Sequence, residues 1–148
     1  MVPSLDRVLR QSTMVDRDLL LKKVAFIRSC LRELREVARP DQIHSDLREE
    51  RFVVHTLQLA CQAAIDLASH VVSDRGLGEP QTNRELFVLL QQAGLIDNTL
   101  AASLAQLAGF RNVIVHGYER VSLAVVEDIV RHRLMDLEAF AQAMAALA

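Results

Sequence analysis

The segment DLREERFVVHTLQLACQAAIDLASHVVS, Asp46–Ser73, decides the fold. It contains neither Gly nor Pro, and Val54, Leu57, Cys61, Ile65, Ala68 and Val72 recur at steps of three and four. That spacing lines one face of a helix; a half-buried strand would alternate at every second residue. Ser45 or Asp46 can cap its start by accepting hydrogen bonds from the first free backbone N–H groups. A second stripe holds Phe52, Thr56, Leu59, Ala63, Asp66 and His70. Asp66 and His70 are four apart and share a face, and with Thr56 that face is more polar than a core requires.

Similar patterns lie on both sides. Leu20, Val24, Ile27, Leu31, Leu34 and Ala38 form a seam that predicts a helix from Asp16 to Ala38, ended by Pro40. Residues 1–15 read as a lead-in in which Leu5, Val8 and Leu9 could form a short helix. After the loop Arg75–Gln81, Thr82 and Glu85 form a capping box for a short helix that stops near Gly94. Asp97 can cap a fourth helix carrying Leu100, Leu104 and Leu107, and Gly117 disrupts it. Ser122 caps one last helix with Val125, Val126, Ile129, Leu134, Leu137, Phe140 and Met144 as its apolar positions. With no strand-length alternation and no repeat, the prediction is all-α: a helical bundle of four main helices plus a short helix, forming one domain over residues 16–148.

With 148 residues, 51% hydrophobic and 24% charged, the chain can bury a sizeable core. A net charge of −2 and a pI near 6.2 give no global attraction to nucleic acid, so any such contact needs a local basic cleft. Cys30 and Cys61 sit among apolar neighbours without metal-site spacing and read as free thiols of a reduced, cytoplasmic protein. Residues 1–14 hold no signal-peptide core, and no apolar run approaches the ~18 residues of a membrane span. The five histidines lack an HxxxH pair with a nearby carboxylate, and Gly76-Leu77-Gly78-Glu79-Pro80 fits no phosphate-binding fingerprint; neither a metal nor a cofactor is expected.

The densest functional chemistry is Arg111-Asn112-Val113-Ile114-Val115-His116-Gly117-Tyr118. Arg offers a planar fork of donors to a phosphate, His moves a proton near neutral pH, and Tyr adds a hydroxyl. On an ideal helix Arg111 and His116 lie about 140° apart, so one straight helix does not aim both at one atom. The helix could break near Val115–Gly117, the Arg side chain could curl round, or a second subunit could complete the cleft. Alternatively Arg111 and His116 only stabilise the negative end of a helix dipole. Asp66 and His70 read either as a pair that orients a neighbour or as supporting residues of the same cleft. Arg131-His132-Arg133 reads as solvated surface or a phosphate patch, and His44 and His55 as surface or boundary residues.

Arg111, four residues, His116, one residue and Tyr118 make the R-x4-H-x-Y pattern of the HEPN superfamily, and the chain resembles its HepT-like branch. Glu50-Arg51, Ile65–His70, the Gly76–Pro80 loop and Gly109-Phe110-Arg111-Asn112 carry the resemblance beyond the motif, over roughly residues 16–145. The resemblance implies a HEPN-like bundle that forms a homodimer, with the two motif segments meeting across the interface. It also implies a toxin of a bacterial type VII toxin–antitoxin pair, a metal-independent ribonuclease acting on RNA such as tRNA or mRNA. Its partner is then a minimal nucleotidyltransferase (MNT) antitoxin that transfers AMP to the motif tyrosine. On these terms Arg111 and His116 are catalytic, Asn112 is supporting and Tyr118 is the modification site. The rival reading is a non-catalytic HEPN subunit that serves as scaffold for the transferase, which the mildly acidic chain would suit.

Overall fold

The computed structural model describes the backbone of residues 5–116 and 121–148 and the side chains of residues 16–114 and 121–148. Among these residues there are six α-helices and no strand: α1 Leu5–Glu36, α2 Leu47–Asp74, α3 Asn83–Gln92, α4 Asn98–His116, α5 Leu123–His132 and α6 Leu134–Ala145. A 3₁₀ turn, Pro40–Gln42, joins α1 to α2.

α2 is the central helix, touching α1, α3, α4, α5 and α6. The stripe read from sequence is its buried face: Val54, Leu57, Cys61, Ile65, Ala68 and Val72 are all buried. Asp46 caps it, with one carboxylate oxygen accepting from the backbone N–H of Arg48 at 2.9 Å and of Glu49 at 3.3 Å. Of the second stripe, Thr56 and Ala63 are buried, whereas Leu59 and Asp66 are exposed. By length and composition α2 is apolar enough to cross a membrane, which the run-length expectation did not foresee; most of that run is buried inside the bundle.

Two helix boundaries differ from expectation. α1 starts at Leu5, so residues 5–15 continue the helix expected to begin at Asp16. The expected last helix is two, because Arg133 (φ −121°, ψ 0°) leaves helical geometry between α5 and α6. Its guanidinium is held elsewhere: Nη2 donates to Ser103 Oγ and Gln106 Oε1 of α4, both at 2.9 Å, and Nε lies 3.8 Å from Asp136. Ser103 Oγ in turn donates to Asp136. The other three predicted caps are also present: Thr82 accepts from Glu85 N at 3.3 Å, Asp97 from Leu100 N at 2.7 Å, and Ser122 from Val125 N at 3.3 Å. They fix where α3, α4 and α5 begin, and so fix the α3–α4 hairpin that carries the polar cluster.

Candidate functional site

α4 holds the cluster on a helix that runs unbroken through position 116. Leu104, Leu107, Ala108 and Ile114 are its buried side chains near this end. Arg111 is seven residues after Leu104, within about 20° of the same line, so a cation occupies the core-facing side of the helix. Its Nε is buried and finds no hydrogen-bond partner among the described residues. Beneath it lies α2 at Cys61: burial pushes that thiol up to about 12, and the neighbouring Arg111 cation partly opposes the rise.

The far end of the same guanidinium leaves the core. Nη1 donates to Asn112 Oδ1 at 3.2 Å. Asn112 is exposed and precedes position 116 by four residues, so the two share a face of α4. Through this bond the Arg111 head lies against Asn112, on the face of α4 that also carries position 116. The side chain of His116, and Tyr118 altogether, lie outside the described residues, as does the expected break at Gly117.

Asp66 and His70 have other surroundings. Asp66 accepts from Gln62 Nε2 at 2.7 Å and lies 3.7 Å from Lys23 Nζ of α1. His70 lines a cavity of about 200 Å³ with Asp16, Arg17, Asp74 and Arg75. There, Asp16 has its carboxyl pushed up, first by a hydrogen bond with Asp74. His70 is nine residues, or about 13 Å of helix axis, beyond Cys61. The other histidine expectations divide. His44 pairs with Glu127 of α5 at 3.3 Å, a carboxylate held below its usual range first by Arg131 and then by His44. His55 is exposed but lines a cleft of about 460 Å³ with Arg51, Phe52, Val54 and Gln58. Its lining residues all belong to α2 and precede Cys61 by three to ten positions. The signal for it was the polar row Arg51, His55, Gln58, Gln62, spaced four, three and four. No group of three His, Cys, Asp or Glu side chains suited to a metal ion occurs among the described residues.

Comparison with known proteins identifies the family. The family model described as ribonuclease HepT-like matches residues 27–144. The mRNA nuclease HepT of Shewanella oneidensis is 36% identical over 124 residues, covering 83% of this chain and 93% of that protein. The tRNA nuclease HepT of Aphanizomenon flos-aquae is 33% identical over 81 residues, 55% of each chain. A solved structure of the tri-AMPylated Shewanella oneidensis HEPN toxin in complex with MNT antitoxin superposes with a TM-score of 0.81 at 35% identity, covering 87% of this chain and 98% of that one.

Proposed function

The chain belongs to the HepT-like ribonuclease family, and on that premise we propose that it is the toxin of a bacterial type VII toxin–antitoxin pair, an endoribonuclease silenced by AMP transfer from an MNT-type nucleotidyltransferase. The observation that carries the reading is the Arg111 Nη1 bond to Asn112, four residues before His116 on α4. A cation pre-aimed in this way suits a phosphodiester, since a guanidinium presents paired donors and keeps its charge at every physiological pH.

RNA supplies its own nucleophile, so the step needs no metal. The 2′-oxygen attacks the adjacent phosphorus, the bond to the 5′-oxygen breaks, and a 2′,3′-cyclic phosphate and a 5′-hydroxyl result. His116 takes the 2′-hydroxyl proton or delivers one to the leaving oxygen. Arg111 holds the phosphate and stabilises the charge added in the transition state, while Asn112 keeps its head in place. Tyr118 is the regulatory acceptor: its hydroxyl oxygen attacks the α-phosphorus of ATP and releases pyrophosphate. The adenylate so attached sets a negative charge and a nucleotide beside Arg111, which blocks RNA. The protein works as a homodimer in the cytoplasm, a location that the two free cysteines and an RNA substrate both fit.

Expression of the chain without its transferase is expected to arrest growth, and Arg111→Ala or His116→Ala to relieve the arrest and lower cleavage of RNA by purified protein at least 100-fold. Full cleavage by purified His116→Ala would overturn the mechanism. The net charge of −2 favours the scaffold reading instead; under it, the wild-type chain binds the transferase but neither arrests growth nor cleaves RNA.

A further inference from the structure

Arg84 of α3 has no role in the chemistry above, yet its guanidinium lies against α4 at Gly109. A Cβ added to Gly109 would meet Arg84 Nη2 at 2.7 Å and its Cζ and Nε at 3.4 Å. Gly109 therefore makes room for the guanidinium against the helix backbone. Gly109, Asn112 and position 116 fall at i, i+3 and i+7, on one flank of α4. Arg84 thus sits against the flank of α4 that carries Asn112, about 10 Å along the axis from position 116.

Helix stability does not account for the placement. Arg84 lies in the first turn of α3, where the helix dipole disfavours a cation. Among the described residues no carboxylate pairs with it and no hydrogen bond engages it, unlike Arg28, Arg35, Arg131 and Arg133. Its side chain is exposed, so its remaining donors face solvent.

We propose that Arg84, seated on Gly109, is a substrate-positioning residue that binds a phosphodiester of the RNA strand next to the scissile one. The proposal rests on the nuclease reading. It makes the RNA interface two cations long on a chain that is acidic overall: Arg111 at the reacting phosphate and Arg84 at its neighbour. The contact is to backbone phosphate, so it adds affinity and register without reading a base.

The test compares an oligoribonucleotide with a dinucleoside monophosphate of the same scissile step, which has no neighbouring phosphate. For wild-type protein, kcat/KM is expected to favour the oligonucleotide. Arg84→Ala should cut that preference five- to tenfold, mainly through KM, and flatten the slope of log KM against log salt by about 0.7, the loss of one single-strand phosphate contact. Gly109→Ala, which displaces the guanidinium without removing its charge, should reduce the preference in the same direction, and Arg84→Lys should restore part of it. An unchanged preference and salt slope in Arg84→Ala would overturn the proposal, as would an equal loss on both substrates, which marks a structural role. If wild-type protein cleaves neither substrate, the nuclease reading falls and the proposal with it.

Discussion

At residue scale, the two cysteines show how much the bundle shields. Cys61 is buried and its thiol is pushed up to about 12, first by burial; burial also raises Cys30. A thiol with a raised pKa stays protonated and is a poor nucleophile. Neither cysteine should react with iodoacetamide at pH 8 in the folded protein, and both should react in denaturant, as intact-mass measurement would show. The linkage has a definite sign. The unfolded Cys61 thiol ionises near 9.0, the folded one near 12, so its contribution to stability is whole below pH 9 and is lost as pH rises from there toward 12. Sequence gave the burial of both thiols through their apolar neighbours. It did not give the cation beside Cys61, because Arg111 comes from another helix fifty residues later.

At the scale of elements, local chemistry placed most helix starts and long-range contacts placed the exceptions. Asp46, Thr82, Asp97 and Ser122 were legible because a cap acts within three residues of itself. The break between α5 and α6 was not. Val130, Leu134, Leu137, Ala141 and Met144 keep helical spacing straight through it, and the cause is Arg133 reaching Ser103 and Gln106 on α4. The α3–α6 contact is tested more directly. Phe87 and Phe140 meet edge to face, centroids 5.7 Å apart, and both are fully buried. Phe140→Ala is expected to lower the unfolding free energy by about 3–5 kcal/mol in chemical denaturation. A loss under 1 kcal/mol would mean that the ring is not part of a close-packed core.

At the scale of the whole molecule, the all-α bundle follows from periodicity alone, whereas the site depended on the R-x4-H-x-Y resemblance. Spacing left Arg111 and His116 facing apart, and only the folded side chain of Arg111 shows its head turned toward Asn112. A catalytic pair within one protomer, Arg111 with its own His116, is the arrangement that we propose from the Asn112 bond, even where two motif segments meet in a homodimer. Mixed Arg111→Ala and His116→Ala proteins, co-refolded to exchange subunits, should then stay inactive. Recovery of about a quarter of wild-type cleavage would instead put Arg111 of one protomer with His116 of the other. Asp66 and His70 illustrate the limit of a shared helical face: four residues apart, they go to Lys23 and to the Asp16–Asp74 cavity respectively.

Arg111 stands where the helix pattern calls for an apolar residue, with Nε buried and unmatched among the described residues. A donor left in that state costs about 1–3 kcal/mol. Activity and robustness therefore pull in opposite directions at this position. Arg111→Met, close in length and free of buried donors, is expected to raise the unfolding free energy by about 1 kcal/mol while abolishing cleavage. Inactivated copies of such a toxin would then be better folded than the working one, and a screen for thermal tolerance alone would drift toward losing the poison.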